Sequence, residues 1–353
     1  MRLILALGLL LALPATASAA KVHVVMADGC QGDLACSKYG GAPPVPITTF
    51  EGAPGEANRV GVSRDGGDFV VRDDGAVLTA EAPCAAVDEH SVRCPVTEGF
   101  QGLHGFAALL GDGDDTLAIA GDMRVETELS GGDGKDVIEG SDGNDAIDGG
   151  PGDDRLLGGG GHDELSYATR VAPVTADLAR ETGGEAGEAD GVGGFEVLVG
   201  GRGADVLRGA AGAEVIDGGA GDDVVRGRGG NDELFGGIGA DRLSGDAGRD
   251  HLFGDPDQGD DYYTPIIRLS PDRLDGGSGN DSLYDTGGRN TFRGGRGDDL
   301  LQGGADPDRM LAGPGSDIVF ARGGGRDRVV CGSGRDVART DRRDSRRSCE
   351  RGR

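Results

Sequence analysis

Acidic residues recur at a fixed spacing in this chain, and their carboxylates are its candidate reactive or metal-binding groups. Between Gly200 and Phe253 the sequence divides without a gap into six nine-residue units, GGRGADVLR, GAAGAEVID, GGAGDDVVR, GRGGNDELF, GGIGADRLS and GDAGRDHLF. The sixth residue of each unit is acidic. Carboxylate and carbonyl oxygens are the ligands that hard cations accept. The spacing therefore indicates a row of cation sites along the chain.

The elements that position these acids follow from the same template, G-G-x-G-x-D-x-U-x, in which U is aliphatic or aromatic. Glycines at the first, second and fourth positions permit positive φ and a tight turn whose carbonyls face an ion. The three residues after the acid form a short strand, and the eighth side chain points away from its two neighbours. We expect these eighth residues to line one core: Leu207, Ile216, Val225, Leu234, Leu243 and Leu252.

The stretch resembles the RTX, or haemolysin-type, calcium-binding repeats of secreted bacterial proteins. The resemblance implies an all-β fold, a parallel β-roll or β-solenoid with two nonapeptides per turn, and multiple Ca²⁺ ions as the cofactor. One buried aliphatic side chain per nine residues offsets little of the entropy lost on ordering them. We therefore expect a roll that is marginal or unfolded without its ions, so that binding free energy acts as folding free energy.

Further units extend the pattern on both sides of the central six. The phase begins with LGDGDDTLA at Leu110, four units run from Gly131 to Ser166, and five more begin at Gly276. The predicted metal ligands are the sixth-position aspartates Asp115, Asp136, Asp145, Asp154, Asp163, Asp205, Asp223, Asp232, Asp241, Asp250, Asp281, Asp299, Asp308 and Asp317.

Several units depart from the template. Glu214 and Asn290 replace the sixth-position aspartate, and Asp306 replaces the fourth-position glycine. We expect these turns to bind weakly or not at all. After one extra residue near Ala321, two more units carry sixth-position acids beside arginines that compete with calcium for the carboxylates.

The template also divides the chain into regions. Residues 110–340 form the predicted roll, with inserts at 167–199 and 255–271. For the first insert we expect wider coils of the same solenoid, with a separate catalytic insert as the alternative; for the second, a surface loop. Residues 21–109 are predicted to be an N-terminal β-rich cap of hairpins or irregular first coils, because an open first coil exposes an edge. A ligand-binding role is the alternative for this cap.

The two ends of the chain bear on where the protein is located. Residues 1–20 combine a basic residue, an apolar run and small residues, which is typical of a Sec signal peptide cleaved near Ala19 or Ala20. No second apolar stretch approaches the roughly 20 residues of a membrane-spanning helix. We therefore expect a secreted, extracellular protein, with association with the cell surface as an option. Residues 341–353 form a basic C-terminal tail or cap.

The six cysteines are consistent with export to an oxidising compartment. Six cysteines allow fifteen connectivities, so the sequence does not settle them. Their spacing favours the local pairs Cys30 with Cys36, Cys84 with Cys94, and Cys331 with Cys349. A metal cluster is the alternative, although no C-x-x-C spacing occurs.

Charge restricts the partners of the chain. The formal net charge is −27, which repels nucleic acid and anionic membranes and attracts cations. From Arg322 onward, eleven arginines oppose five acids. The predicted partners are calcium ions, and the arginine-rich tail could in addition bind cell-wall or surface polyanions. We expect no nucleic-acid partner and no membrane span.

The usual catalytic motifs are absent from the sequence. None of the five histidines belongs to H-E-x-x-H, and G-x-S-x-G, the P-loop and the EF-hand loop do not occur. We therefore expect a structural or adhesive protein rather than an enzyme. The alternative is a carbohydrate-active enzyme, a polysaccharide lyase, epimerase or hydrolase, that uses acids on the solenoid face.

Overall fold

The computed structural model describes residues 19–27, 45–95, 105–121, 123–255, 270–321, 323 and 325–350, and the structural statements below concern these residues. They form two compact units, residues 1–164 and 165–353, which we describe separately. Strands dominate both units, and the described residues contain no α-helix, so the predicted all-β fold with long parallel sheets is confirmed. Nor does any helix in this part of the chain have the length and apolar character needed to cross a membrane.

The first unit contains thirteen complete strands among its described residues. They are β1 (Ala20–Ala27), β2 (Val45–Glu51), β3 (Arg59–Asp65), β4 (Asp68–Asp73), β5 (Leu78–Ala80), β6 (Ala85–Asp88), β7 (Ser91–Cys94), β8 (Gly105–Asp112), β9 (Thr116–Ile119), β10 (Thr127–Asp133), β11 (Val137–Glu139), β12 (Asp145–Asp148) and β13 (Arg155–Leu157). The next strand, β14 (Glu164–Ser166), begins at the last residue of this unit.

The second unit continues the same kind of short strand and adds one 3₁₀ turn, Leu178–Arg180. Its strands are β15 (Thr175–Asp177), β16 (Thr182–Gly183), β17 (Asp190–Gly193), β18 (Val197–Val199), β19 (Val206–Arg208), β20 (Val215–Asp217), β21 (Val224–Gly229), β22 (Glu233–Phe235), β23 (Arg242–Ala247), β24 (His251–Phe253), β25 (Arg273–Ser278), β26 (Ser282–Tyr284), β27 (Thr291–Arg296), β28 (Leu300–Gln302), β29 (Arg309–Pro314), β30 (Ile318–Ala321), β31 (Arg328–Ser333), β32 (Val337–Thr340) and β33 (Ser345–Arg347).

From β18 onward, successive strands of the second unit alternate between two parallel sheets. Strand β19 pairs with β21, and β20 pairs with β22, each in parallel register. Val206 lies opposite Val224, and Val215 lies opposite Glu233, so two nonapeptides make one turn. The chain therefore forms a roll in which each turn stacks on the turn two units earlier.

The eighth-position side chains fill the interior between the two sheets. All six predicted core residues of the central repeats are buried, with exposed fractions of 0–2%. Of their neighbours at the seventh position of the same units, four, including Val224 and Glu233, are exposed, and Val206 and Val215 are half-buried. The period-2 expectation for these short strands is therefore confirmed.

Parallel stacking in the first unit begins before the glycine repeats do. Strand β2 pairs in parallel with β8, and β3 pairs in parallel with β9. Asn58, which precedes β3, donates its backbone N–H to Asp115 Oδ1 at 2.6 Å. Strands β3, β4, β7 and β6 pair antiparallel beside this first coil, and the predicted Cys84–Cys94 disulfide joins β7 to the residue before β6. The region thus holds both a coil and hairpins.

The insert at 167–199 forms a wider coil of the same stack. Thr175 in β15 lies opposite Val206 in β19, so 31 residues take the place of one ordinary turn. Within this coil, Tyr167 Oη donates to Asp190 Oδ2 at 3.0 Å. Arg228 donates to both carboxylate oxygens of Asp177 at 2.7 Å, which ties the insert to a later repeat.

Two further changes of spacing occur near the end of the chain. The insert at 255–271 falls mostly on residues 256–269, which lie outside the described residues. The register resumes after it, with Leu243 opposite Leu274. One extra residue near Ala321 lengthens the next turns to 19 residues, as expected.

The cysteine pairs can be placed in part. The predicted Cys331–Cys349 disulfide forms, next to the pairing of β31 with β33. The predicted Cys30–Cys36 pair lies outside the described residues, as does most of the predicted leader, up to residue 18.

The glycines of the template serve two different purposes. Many second- and fourth-position glycines have positive φ, for example Gly219 at 89° and Gly221 at 134°. The expectation of positive φ at the first position is wrong. Gly218 occupies that position because a Cβ there would lie 2.5 Å from Gly236 O and 2.7 Å from Asp223 Oδ2. The first glycine thus makes room for the carboxylate of its own repeat.

We expect Gly221→Ala to destabilise the second unit far more than Gly187→Ala. Both glycines have positive φ, which costs an alanine about 1–2 kcal/mol. A Cβ at Gly221 would also overlap the carbonyl oxygen of Gly203 in the turn below, whereas nothing lies near Gly187. Urea unfolding in saturating calcium measures the difference; equal losses for the two variants would contradict this packing.

Candidate metal centres

Within each unit, the sixth-position acids are buried in stacks, and we call these stacks the column. Every predicted ligand has an exposed fraction of 4% or less. They are Asp115, Asp136, Asp145, Asp154 and Asp163 in the first unit, and Asp205, Asp223, Asp232, Asp241, Asp250, Asp281, Asp299, Asp308 and Asp317 in the second. Because each turn contributes two repeats, the acids of alternate repeats stack above one another.

One carboxylate oxygen of every predicted ligand except Asp145 accepts a backbone hydrogen bond from the preceding turn. The Asp205 N–H donates to Asp223 Oδ1 at 2.7 Å, and the Asp223 N–H donates to Asp241 Oδ1 at 2.8 Å. The same contact joins Asp281 to Asp299 at 3.0 Å. The acid therefore fixes the register between turns as well as carrying charge.

The second carboxylate oxygen has no such partner in most of the column. Oδ2 is buried and accepts no hydrogen bond from the described residues in Asp115, Asp136, Asp223, Asp232, Asp241, Asp250, Asp281, Asp299, Asp308 and Asp317. A buried anionic oxygen without a partner is costly, and such groups are normally paired or bound to metal. These oxygens are the strongest sign of a cation in the fold.

Two predicted ligands differ, because the protein itself satisfies their second oxygen. Asp145 Oδ2 accepts the Ser141 N–H at 2.5 Å, and Asp205 Oδ2 accepts the Gly201 N–H at 2.7 Å. The hydroxyl of Thr127 also donates to Asp145 Oδ1 at 2.6 Å. These two aspartates have less need of an ion than the ten aspartates above.

Burial strongly raises the pKa values of several aspartates in the column. It raises the pKa of Asp223 to about 8, because the charged form loses its hydration. The backbone hydrogen bond from Asp205 lowers this pKa in part, while the charges of Asp241 and Asp205 raise it further. Burial likewise raises the pKa of Asp136 and Asp299 to about 7. A cation between turns would remove this penalty.

The two departures at the sixth position separate the structural role of the acid from its charge. Asn290 Oδ1 accepts the Asp272 N–H at 2.9 Å, and its Nδ2 donates to Gly287 O at 2.6 Å. Glu214 is also buried and accepts the Ala210 N–H at 3.1 Å. Asn290 keeps its place in the column as an acceptor, and Glu214 keeps it by donating its N–H to Asp232 Oδ1 at 3.0 Å. Weak binding at these two turns stays a prediction.

Some members of the column were not among the predicted ligands. Asp272 Oδ1 accepts the Asp241 N–H at 2.8 Å, and Asp344 Oδ1 accepts the Asp327 N–H at 3.1 Å. Asp272 is followed by RLD, which keeps the acid and the aliphatic position of the template without its glycines. Asp344 has arginine at the corresponding aliphatic place, Arg346, so the template gives no signal there.

The donor set fits a hard cation. It consists of carboxylate oxygens without partners, beside glycine turns in which a Cβ would fill the space next to the carboxylate. Oxygen ligands of this kind suit calcium, which accepts about 6–8 of them in a flexible shell. Bound calcium would supply the positive charge that the column lacks.

Comparison with known families agrees with this chemistry. The model of the RTX calcium-binding nonapeptide repeat (4 copies) matches residues 130–165, 190–225, 226–262, 270–301, 284–319, 293–328 and 303–338. These matches together cover half of the chain, and the chain therefore belongs to the RTX calcium-binding repeat family. Comparison with curated proteins finds no match.

We expect the metal-free protein to lose stability as the pH rises from about 5 to 8. The folded acids have pKa values raised to about 6–8 from 3.8, so in this window the folded state binds more protons than the unfolded state. Between its unfolded and its folded pKa, each such group lowers the free energy of unfolding by about 1.4 kcal/mol per pH unit. Thermal unfolding in metal-free buffer measures the slope. A stability that rises with pH would contradict the buried column.

We expect Asp223→Asn to weaken the calcium-loaded protein by about 1–3 kcal/mol, because it keeps an oxygen acceptor but removes the charge. In metal-free buffer at neutral pH the order should reverse, with the variant keeping more β signal than the wild type. Asp222→Asn is the matched control, since Asp222 is exposed. Equal changes in stability and β signal in Asp223→Asn and Asp222→Asn would show that the effect does not depend on the charge lying in the column.

Proposed function

We propose that this calcium-binding repeat protein is secreted, that its roll orders when calcium binds, and that it serves as a structural or adhesive element outside the cell. The observation that carries the proposal is the column of buried carboxylates whose second oxygens lack partners. Such a column is unfavourable without cations and favourable with them, so folding and binding are coupled.

The repulsion within the column supports ordering by calcium. Neighbouring acids in the stack raise one another's pKa, as Asp281 and Asp317 do for Asp299. Each turn of the roll buries few apolar side chains to offset this penalty. A highly anionic chain would stay expanded where calcium is scarce and stiffen where it is plentiful.

The disulfides support a location outside the cytoplasm. Cys84–Cys94 and Cys331–Cys349 are both formed, and disulfides persist mainly in oxidising compartments. The leader at residues 1–20 supplies the export signal in this proposal. Extracellular calcium can fill sites in the weak range of about 10⁻⁴–10⁻³ M.

Exposed arginines support an adhesive role for the end of the roll. Arg342, Arg343, Arg346 and Arg347 all have exposed side chains. Against a body of opposite charge, they offer a local surface for cell-wall or other polyanions. Calcium-dependent retention of the protein on cell walls, lost when these arginines are replaced, tests this part of the proposal.

We also propose that the protein is not an enzyme. The acids that repeat at the sixth position are buried inside the turns, so this regular row is not available to a substrate on the solenoid face. An enzyme of that kind needs acids that can reach the substrate. Turnover of an acidic polysaccharide by the calcium-loaded protein would overturn this part of the proposal.

The coupling of folding to calcium is tested by far-UV circular dichroism of residues 21–353. We expect a cooperative gain of β signal as calcium rises from chelator to about 10 mM, a range that brackets weak extracellular sites. Magnesium serves as the control and should not replace calcium, because it demands a smaller and more rigid shell. An unchanged β spectrum in chelator at neutral pH would contradict the proposal.

A further inference from the structure

Three buried aspartates meet in the second unit at a place that the nonapeptide template does not explain. Asp272 occupies the sixth position of the unit interrupted by the insert at 255–271. Asp255 occupies the second position of that unit, and Asp285 occupies the first position of a later one. The template has glycine at both of these places. Two extra carboxylates have thus replaced the glycines beside one column acid.

The three side chains are close enough to share one ion. One carboxylate oxygen from each lies within 4.8 Å of the others. Exposed fractions are 3% for Asp255, 1% for Asp272 and 4% for Asp285. Calcium binds oxygen at about 2.3–2.6 Å, so ligand oxygens up to roughly 4.8 Å apart can contact the same ion.

Most of the carboxylate oxygens in this cluster lack a hydrogen-bond partner among the described residues. Asp272 Oδ1 accepts the Asp241 N–H at 2.8 Å, and Asp285 Oδ1 accepts the Gly287 N–H at 3.1 Å. Both oxygens of Asp255 and the Oδ2 atoms of the other two acids are buried without one. Asp255 is thus a buried carboxylate whose pKa burial raises to about 6 and the nearby Ser270 N–H lowers only in part.

Gly254 makes room for two of these carboxylates, because it has no side chain. A Cβ at Gly254 would overlap Asp285 Oδ2 and lie 2.5 Å from Asp272 Oδ2. Burial raises the pKa of Asp285, and the charges of Asp272 and Asp255 raise it further. Three acids in such a place are costly unless a cation holds them.

We propose that Asp255, Asp272 and Asp285 form a separate calcium site, distinct from the sites of the nonapeptide turns. Three carboxylates without histidine or cysteine select a hard cation over zinc or copper. Asp255 precedes the insert, Asp272 follows it, and Asp285 belongs to a later unit. The ion would therefore fasten both ends of the interrupted turn to its neighbour, at a place where the glycine turn is missing.

The site can be tested independently of calcium-driven folding. Native mass spectrometry of the calcium-saturated chain counts bound ions, and circular dichroism reports separately whether the roll orders with calcium. The test variant is Asp285→Gly, which removes one carboxylate and restores the template residue. Two further variants are the single substitution Asp285→Asn and the double substitution Asp255→Asn/Asp285→Gly. The matched control is Asp246→Gly, which also restores a template glycine and removes one charge, but from a residue paired with Arg226.

We expect the wild type to hold one more calcium ion than Asp255→Asn/Asp285→Gly, and Asp246→Gly to match the wild type. The calcium midpoint of folding should rise in Asp285→Gly by less than about twofold, because many ions bind together and one site shifts the midpoint little. An unchanged ion count would overturn the proposal. So would a lower midpoint in Asp285→Gly, because it would mean that the lost carboxylate was only a repelling charge.

Discussion

In the roll, the carboxylate of one turn stacks above the carboxylate of the next, and this contact sets both the register of the turns and their buried charge. Asp223 Oδ1 binds the amide of Asp205, and the Asp223 amide in turn binds Asp241 Oδ1. This contact keeps successive turns in register, but it also buries like charges in a line. The stacked acids therefore require cations for stability, and their charge also attracts those cations.

The column persists where the sequence period does not. Most stacked acids are 18 residues apart, yet the same hydrogen bond forms across 21 residues at Asp136, 31 at Asp272 and 19 at Asp327. Asn290 and Glu214 show that the hydrogen bonds of the column can continue without an aspartate. Position in the stack thus matters more than the length of the repeat.

The sequence predicts the repeating part of the fold well, because each position has one dominant physical reason. The acid, the eighth-position core residue and two of the three glycines can be read directly from the template. The first glycine cannot, since its reason is the nearby carboxylate and not its backbone angle. Asn58 was missed as part of the stack because 57 residues separate it from Asp115. The meeting of Asp255, Asp272 and Asp285 was missed because it depends on which turns stack.

Hydrogen exchange at the column amides distinguishes a stack that needs cations from one that holds without them, because these N–H groups bind the carboxylates of the column. The amides of Asp223, Asp281 and Asp299 donate to the acid of the next turn. With calcium at neutral pH, the account predicts strong protection of these amides; in chelator, it predicts exchange close to that of an unfolded chain. Equal protection in both conditions would show that the column holds without cations and would contradict the account.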